Sequence, residues 1–398
     1  MNSPLRTIDP GSTIGVLGGG QLGLMFAMAA RRLGYRVHTL APEHDTPTGQ
    51  IADVEMVASY DDLDQVRAFA KGVDVITFEF ENVPAAAVAA AEAIVSVRPN
   101  GEALEIAQHR IREKRFLAAC GIPVVPYVEV HAEADLLDGV TRLGRPCVLK
   151  TAALGYDGKG QVSIGLDVDP IAAWDQLGRR EAVLETWIDL EREISIIAAR
   201  GVDGQMSFFE PFENVHAHHI LDVTIAPASV RSNIAADAME MTRTILEELE
   251  YVGLLCVEFF VTRQGQLLVN ELAPRPHNSG HLTFDACRTS QFEQQVRAIC
   301  GFPLGATELL QPAAMVNLLG DLWADGEPNW AGALAMPDVK LHLYGKSTPR
   351  PGRKMGHITV LSPTTTEARD RALAARDLLR LRTGLNRRAY AERTPGPA

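Results

Sequence analysis

The sequence predicts a protein of mixed α/β and α+β class, and three observations support this prediction. An apolar strand, a glycine-rich turn and an Ala-rich helix open the chain as a β-α-β unit. Two further strands flank a second glycine-rich segment, residues 155–160, and an acidic hairpin follows around residue 265. With 398 residues, the chain is long enough for two or three domains.

Composition argues against several classes of function. The formal charge is −12, from 38 basic and 50 acidic residues without a basic run, so we expect no nucleic acid partner. The five cysteines form no CxxC pair, which indicates a reducing compartment without disulfides. No secretory leader is recognisable in residues 1–11, and no apolar run approaches the length of a membrane span. We therefore expect a soluble, cytoplasmic protein with no membrane partner.

The opening unit carries a glycine pattern typical of phosphate-binding turns. Strand 13–17 is followed by Gly18-x-Gly20-x-x-Gly23, where glycine lets the backbone approach a phosphate at a helix N-terminus. Glu43, about 20 residues further on, suits the ribose of a nicotinamide cofactor. The alternative is a doubly wound fold whose loop serves another phosphate, and the pattern alone favours no particular ligand.

A later strand of the same unit, residues 73–80, ends in acidic residues. Ligands of open α/β sheets gather at the carboxyl ends of strands, so Glu79 is a candidate acceptor for a hydroxyl or an amine. A solvated strand end is the alternative. The Pro-Asn-Gly sequence at 99–101 predicts the end of the first domain.

The second glycine-rich segment predicts a flap over phosphates. Strand 145–151 carries Lys150, and strand 161–164 follows the glycines. The spacing differs from that of a Walker A loop, and Lys159 is followed by Gly rather than Ser or Thr. Backbone N–H groups of such a flap bind phosphate, and Lys150 would add a point charge. The alternative is a flexible hairpin with a lysine whose stem is buried.

Polar positions on neighbouring segments are less specific. Strands 182–187 and 193–198 flank a polar linker that suits adenine, with Glu185 and Glu193 as candidate edges of the pocket. We interpret His216, with the histidines at 218 and 219, as part of a polar loop rather than a metal site, because the spacing is irregular.

A predicted helix over residues 102–120 carries two basic residues, Arg110 and Lys114. Their i, i+4 spacing favours a solvated face, so the pair indicates no site by itself.

The acidic hairpin is the strongest single pattern. Apolar runs 254–262 and 266–272 flank a Gly-containing turn, and a two-residue turn places Glu258 opposite Glu271. Facing carboxylates in apolar strands repel each other, and a divalent cation removes that conflict. With Asn270 as a neutral oxygen donor, the set suits Mg²⁺ or Mn²⁺. A register slip by one residue would instead leave one glutamate solvated.

Two further polar clusters favour ligand binding. The hairpin runs into a Pro- and Gly-punctuated segment that contains Arg275, His277, Asn278, Ser279 and His281. Near the C-terminus lie Lys346, Arg350, Arg353 and Lys354. On an acidic protein, such a basic cluster suits a substrate phosphate, and a solvated basic turn is the alternative.

Several motifs together resemble one family. GGGQLG, TFEFENV, GYDGKGQ, NELAPRPHNSGH, TSQFEQ and YGK…RPGRKMGH are similar to those of the 5-(carboxyamino)imidazole ribonucleotide synthetases, members of the ATP-grasp superfamily. The resemblance covers residues 13–385. It implies an ATP-grasp fold with a Rossmann-like (pre-ATP-grasp) domain at 1–101, a two-lobed ATP-grasp domain at 102–305 and a small β-rich domain at 306–398. The lobes would span about 120–190 and 191–305, and the tail from 393 onward would be disordered.

The resemblance also implies site residues. Those for ATP are Arg110, Lys150, Gly155, Tyr156, Asp157, Gly158, Lys159, Gly160, Gln161, Glu185, Thr186, Trp187, Ile188, Glu193, His216, Asn270 and Glu271. Those for the ribonucleotide are Gln21, Leu22, Glu79, Tyr156, Asp157, Arg275, His277, Lys346 and Arg353. The metal ligands are Glu258 and Glu271, and the catalytic residues are Lys150, Asp157, Arg275 and His277.

The activity implied by the resemblance is an ADP-forming carboxylation in purine biosynthesis. Bicarbonate attacks ATP to give carboxyphosphate, and 5-aminoimidazole ribonucleotide captures the carboxyl group, with Mg²⁺ (or Mn²⁺) as cofactor. Arg275 would hold bicarbonate, Asp157 or His277 would orient the amine or take its proton, and the chain would form a homodimer. Leu24 stands where the family's first loop has Arg, which puts one anion contact in doubt.

Three alternatives remain at this stage. The first is another ATP-grasp ligase that uses formate or an amino acid. The others are a nicotinamide-dependent dehydrogenase, which leaves the facing carboxylates unexplained, and a non-catalytic nucleotide-binding protein.

Overall fold

The computed structural model describes residues 7–153 and 160–380, which form three sheets with helices packed on them. Most of the predicted flap, residues 155–159, lies outside the described residues, as does the predicted tail from 393. No helix within the described ranges has the length and apolar character that crossing a membrane requires.

The first sheet confirms the predicted doubly wound opening. Four parallel strands lie in the order β3-β2-β1-β4, and β4 is buried along its whole length. The elements are β1 (Thr13–Leu17), α1 (Gln21–Arg32), β2 (Arg36–Ala41), β3 (Val54–Val57), α2 (Leu63–Ala70), β4 (Val75–Phe78) and α3 (Ala85–Glu92).

The second sheet is antiparallel, in the order β5-β8-β6-β7. The elements of this part are α4 (Gly101–Ala107), α5 (Arg110–Ala119), β5 (Tyr127–Val130), α6 (Glu133–Leu143), β6 (Cys147–Thr151), β7 (Gln161–Ile164), α7 (Pro170–Gln176) and β8 (Ala182–Thr186).

The predicted single helix over 102–120 is two helices, α4 and α5. At the break, the Arg110 N–H donates to the Ala152 carbonyl at 2.8 Å. The Gln108 side chain donates to two backbone carbonyls of the first unit, those of Glu81 and Val83. These contacts outside the helix anchor Arg110 beside the end of β6.

The third sheet has nine strands among the described residues, in the order β14-β13-β9-β11-β12-β15-β17-β16, with β10 beside β9. Its strands are β9 (Leu190–Arg200), β10 (Met206–Phe208), β11 (Phe212–Ala217), β12 (Ile220–Ala226), β13 (Gly253–Thr262), β14 (Leu267–Ala273), β15 (Ala313–Leu319), β16 (Val339–Leu343) and β17 (Lys354–Leu361). The helices are α8 (Ser232–Glu248), α9 (Thr283–Ala286), α10 (Gln291–Cys300), α11 (Trp330–Leu334) and α12 (Thr365–Leu379), with 3₁₀ turns at Asn278–Gly280 and Gly320–Trp323.

Two contacts join these parts around the site. β15 pairs with β12, so the C-terminal strands continue the large sheet. The predicted domain boundary at residue 305 falls in the connection before β15 and does not divide this sheet. Helix α10 packs against α1, with Phe292 and Val296 in the same apolar core as Leu22 and Phe26. The hairpin β13–β14 is thereby fixed close to the glycine loop of the first unit.

Candidate active site

A cleft of about 760 Å³ opens between the first unit and the hairpin end of the large sheet. Every described residue predicted for the ribonucleotide lines it, namely Gln21, Leu22, Glu79, Arg275, His277, Lys346 and Arg353. Arg110 and Glu271, predicted for ATP and metal, line the same cleft. The other two residues predicted for the ribonucleotide, Tyr156 and Asp157, lie outside the described residues.

Glu258 and Glu271 face each other across the hairpin, as the sequence predicted. The predicted two-residue turn is wrong, because the loop spans residues 263–265 with Gly265 at φ +78°. The loop is one residue longer than predicted, and β14 carries one extra residue at Asn270. The two changes cancel, so Glu258 still pairs with Glu271.

The two carboxylates differ in environment. Glu258 is buried at 8% exposure, whereas 48% of the Glu271 side chain is accessible from the cleft. Loss of contact with bulk water inside the cleft, and then the charge of Glu258, raise the pKa of Glu271. Burial would also raise the pKa of Glu258, but His277 beside it lowers that pKa to about 2. The facing oxygens, with Asn270 adjoining, fit a hard divalent cation.

His277 lies directly against this pair, with Nε2 3.0 Å from Glu258 Oε1. Its Nδ1 is 3.0 Å from the Ser279 hydroxyl, which fixes the ring. The Cys256 sulfur is also close to Glu258 and His277. Burial would lower the pKa of His277, but Cys256 and Glu258 raise it above its usual range. In this arrangement Nε2 donates to the Glu258 carboxylate.

Lys150 is held by a buried carboxylate. Glu185 Oε2 lies 2.6 Å from Lys150 Nζ, and its other oxygen lies 2.7 Å from Lys114 Nζ. Burial would raise the pKa of Glu185, but the two lysines lower it to about 2. Lys114 is 1% exposed, so the predicted solvated face of this helix is wrong. The Glu185 carboxylate positions the lysines and is not an open edge for adenine.

The segment predicted to lie beside ATP at residues 186–188 begins at the end of β8. Thr186 ends β8, with Trp187 half exposed and Ile188 following it. The Gly160 carbonyl accepts from the Thr151 N–H at 2.8 Å and so joins the end of β6 to the residue before β7.

The predicted polar loop around His216 is instead a hairpin. His216 lies on β11, and His218 and His219 form the turn to β12 with φ of +52° and +64°. His216 Nδ1 is 2.8 Å from Glu193 Oε2. Burial would lower the pKa of His216, but Glu193 and then Glu258 raise it. The Gln161 side chain contacts the His219 ring at 3.2 Å and links the second sheet to the third.

Glu79 closes the glycine loop. Its oxygens accept from the N–H groups of Gly20 at 2.5 Å and Gly23 at 3.0 Å. A Cβ on Gly20 would lie 2.5 Å from Glu79 Oε1, so the glycine serves this close approach. Glu79 thus occupies two of the loop's amides, while Gln21 and Leu22 between them line the cleft, so the phosphate-binding interpretation of the loop stays a prediction. Each carboxylate oxygen has a second lone pair, so Glu79 can still accept from a ligand.

Arg275 is anchored at the floor of the cleft. Its Nε donates to Glu81 and its Nη1 donates to the Pro276 carbonyl. Burial would raise the pKa of Glu81, but the Arg275 guanidinium lowers it to about 2. This ion pair fixes the direction in which the guanidinium faces the cleft.

The C-terminal cations converge on the cleft together. Lys346, Arg350, Arg353 and Lys354 all line it. Lys346 Nζ donates to the Lys354 carbonyl and Arg353 donates to the Thr348 carbonyl, each at 2.7 Å. The basic cluster thus faces the predicted substrate residues and is not merely a solvated turn.

Sequence reasoning missed one residue of this site, Glu113, and gave another, Asn278, no defined role. Glu113 is buried and accepts from the Leu272 N–H at 2.9 Å, directly behind Glu271. Burial raises the pKa of Glu113 to about 8, with Glu271 adding to the rise. The amide of buried Asn278 lines the cleft without a hydrogen-bond partner among the described residues. Glu113 had no local sequence signal, whereas Asn278 stood in the polar segment that was singled out.

Three models of known protein domains match segments of this chain. The chain matches a ribonucleotide synthetase preATP-grasp domain over residues 12–108 and an ATP-grasp domain over 115–292. Residues 313–371 match the phosphoribosylaminoimidazole carboxylase C-terminal domain.

Relatives of nearly full length decide the assignment. The chain is 44% identical to the N5-carboxyaminoimidazole ribonucleotide synthase of Bacillus subtilis (strain 168), over 91% of this chain and 94% of that protein. The chain belongs to the N5-carboxyaminoimidazole ribonucleotide synthase family. The Brucella melitensis biotype 1 member is also 44% identical, over 90% of this chain and 99% of its own length.

Solved members of the family share the fold. An N5-carboxyaminoimidazole ribonucleotide synthetase solved as an ADP complex has a TM-score of 0.88 at 41% identity, covering 93% of this chain and 98% of that one. The Aspergillus clavatus enzyme, solved with ADP and 5-aminoimidazole ribonucleotide, has a TM-score of 0.82 at 30% identity and the same coverage. The ATP-grasp fold class predicted from the sequence is confirmed.

Proposed function

We propose that this chain catalyses the ATP-dependent carboxylation of 5-aminoimidazole ribonucleotide in purine biosynthesis. The products are N5-carboxyaminoimidazole ribonucleotide, ADP and phosphate. The observation that carries the proposal is the pairing of Glu258 with Glu271, which lines a cleft rich in cations, in a chain of this family.

The ATP phosphates bind where the second sheet, which carries Lys150, meets the third sheet, which carries Glu271. Lys150, held by Glu185, and Arg110, 4.0 Å from Glu271, supply positive charge there. Mg²⁺ or Mn²⁺, held by Glu258 and Glu271 with Asn270 adjoining, neutralises phosphate charge when bound. Phosphoryl transfer depends chiefly on such positioning and charge stabilisation. Residues 186–188 then remain for the adenine.

Bicarbonate binds at Arg275, whose orientation is set by Glu81. A bicarbonate oxygen attacks the γ-phosphorus of ATP, and the bond to the β-phosphate oxygen breaks, which gives carboxyphosphate and ADP. Carboxyphosphate breaks down to CO₂ and phosphate inside the cleft, and the exocyclic amine of the ribonucleotide attacks CO₂. A closed site protects the labile intermediate from water.

The ribonucleotide occupies the 760 Å³ cleft. Arg353 and Lys346 face its phosphate, and Glu79 accepts from a hydroxyl or from the amine. His277, whose Nε2 lies 3.0 Å from Glu258 Oε1, is one candidate to orient the amine or take its proton. Asp157, which lies outside the described residues, is the other candidate for that role.

The nicotinamide alternative is disfavoured by Glu79. A dinucleotide needs its pyrophosphate at the amides of the glycine loop, and Glu79 already accepts from two of them. An ATP-grasp ligase with a different acceptor is an outcome of the test below.

The test is ADP release by the purified chain with MgATP and bicarbonate, with and without 5-aminoimidazole ribonucleotide. Glycine and formate, in place of the ribonucleotide and of bicarbonate respectively, serve as comparison substrates. We expect strong stimulation by the ribonucleotide and none by the comparison substrates. An equal rate of ADP release with and without the ribonucleotide would exclude it as the substrate.

Four narrower assignments stay predictions. These are the divalent cation, the homodimer, the cytoplasmic location and the domain boundaries near residues 101 and 305. Sedimentation at micromolar concentration tests the dimer, and metal removal tests the cation.

A further inference from the structure

Cys256 has no part in the reaction described above, yet its sulfur lies within 4.8 Å of ligand atoms of Glu258 and His277. It precedes Glu258 by two residues on β13, so both side chains are on the same face of the sheet. It is fully buried, and its sulfur lies 4.0 Å from the Ser279 hydroxyl.

Three different ligand types converge at this point. The Cys256 sulfur, a Glu258 carboxylate oxygen and a His277 ring nitrogen all lie within 4.8 Å of one another. A tetrahedral zinc ion with bonds of about 2.0–2.3 Å holds its ligands roughly 3.3–3.6 Å apart. Small side-chain movements would therefore bring these atoms to zinc-binding distances.

The surroundings orient His277 for such a role. The Ser279 hydroxyl engages Nδ1 at 3.0 Å, while Nε2 faces Glu258. The Gln291 side chain accepts from the His277 backbone N–H at 2.9 Å and holds the segment in place. Outer contacts of this kind are what fix metal-binding histidines.

We propose that Cys256, Glu258 and His277 form a zinc site that overlaps the magnesium position and inhibits the enzyme. Zn²⁺ displaces the thiol proton and any Nε2 proton to solvent and leaves its fourth position for water. A thiolate selects zinc over Mg²⁺, because Mg²⁺ prefers oxygen ligands. The ion engages Glu258 and so removes a predicted ligand of the catalytic metal.

Zinc binding is measured first, without reference to activity. Metal-free protein competes with a chromophoric chelator for Zn²⁺, and Co²⁺ is used as a spectroscopic substitute. We expect tight zinc binding and thiolate-to-cobalt absorption in the wild type, with affinity at least about tenfold weaker and no such absorption in Cys256→Ala. Cys120→Ala is the matched control, because this thiol lies on a different surface, at the end of α5, and should leave both readouts unchanged.

Inhibition is measured second, and this part rests on the proposed function. Ribonucleotide-stimulated ADP release is followed at saturating Mg²⁺ with added Zn²⁺, and each variant is compared with its own zinc-free rate. We expect at least a tenfold higher zinc requirement for inhibition of Cys256→Ala than of the wild type.

Equal zinc affinity in wild type and Cys256→Ala, or absence of cobalt–thiolate absorption in the wild type, would overturn the site. Zinc binding through Cys256 without any selective inhibition would overturn the regulatory part. A zinc-free enzyme that releases no ADP would count against the proposed function only, because the binding measurements do not depend on turnover.

Discussion

At the scale of single residues, the site depends on buried charges that neutralise one another. Glu185 lies between Lys114 and Lys150, and Glu81 pairs with Arg275. A buried carboxylate is tolerated when it is paired in this way, and breaking such a pair is costly. These pairs hold the cations that face ATP and bicarbonate in the proposed reaction.

Glu185→Gln should lower stability in a pH-dependent manner. The pKa of Glu185 falls from 4.5 to about 2 on folding, which corresponds to about 3 kcal/mol. Because the folded pKa is the lower one, this stabilisation is complete above about pH 4.5 and is lost as the pH falls toward 2. Urea unfolding of both proteins from pH 7 to pH 3 should show a deficit that shrinks with acid. A deficit independent of pH would contradict the assignment.

Glu113→Gln should act in the opposite direction. The pKa of Glu113 rises from 4.5 to about 8 on folding, so its stabilising contribution is complete below about pH 4.5 and is lost as the pH rises to about 8. The amide variant keeps an acceptor for the Leu272 N–H. In EDTA, the free energy of unfolding of this variant should equal that of the wild type near pH 4.5 and exceed it by up to about 5 kcal/mol above pH 8.

The surface variant Glu240→Gln is the control for Glu113→Gln, and it should show no such divergence with pH. A Glu113→Gln protein that is less stable than the wild type above pH 8 would contradict this prediction. It would mean that ionisation of the buried Glu113 carboxylate costs no folding free energy.

At the scale of elements, the hairpin shows how far local patterns reach. Alternation and the turn predicted the facing of Glu258 and Glu271, yet the loop length and the register shift at Asn270 were both missed. Neither has a distinctive sequence signal, since a bulge depends on how the strand packs against its neighbours. The glycine loop is a similar case, because Glu79, whose approach the glycines permit, is distant in sequence.

Gly20→Ala should therefore disturb the loop although the substitution is small. Its Cβ would lie 2.5 Å from Glu79 Oε1 and force that carboxylate away from the helix N-terminus. We expect a loss of about 1–3 kcal/mol in denaturant unfolding, together with a higher KM for the ribonucleotide. Gly165→Ala, where a Cβ meets no atom within 4 Å, should change stability by less than about 1 kcal/mol. Equal effects of the two substitutions would contradict the role of Glu79.

At the scale of the whole molecule, the cleft is assembled from segments that are far apart in the chain. Glu79 comes from the first sheet, Arg275 follows the hairpin, and Arg353 precedes β17. Motifs identified these residues through the family resemblance, and the structure brings them together. The buried pairing of Lys114 and the continuation of the large sheet into β15 depend on tertiary contacts, so no local pattern predicted them.

Arg353→Ala should weaken ribonucleotide binding selectively. Loss of a charge-assisted contact to phosphate costs about 1.5–3 kcal/mol, so KM for the ribonucleotide should rise about 10-fold to 100-fold. KM for ATP should change little, because the proposed ATP site is formed by other residues. Lys340→Ala removes an exposed cation on β16 and is the matched control. A parallel rise in both KM values would contradict the separate placement of the two substrates.

The most direct test of the whole account is binding of Mn²⁺ together with ADP, followed by the paramagnetic signal of free Mn²⁺. Wild type and the surface control Glu240→Gln should retain Mn²⁺ in the presence of ADP, and Glu271→Gln should lose at least about tenfold in Mn²⁺ affinity while keeping its unfolding midpoint. Unchanged Mn²⁺ affinity in the presence of ADP in Glu271→Gln would contradict the claim that the facing carboxylates hold the cation of the nucleotide.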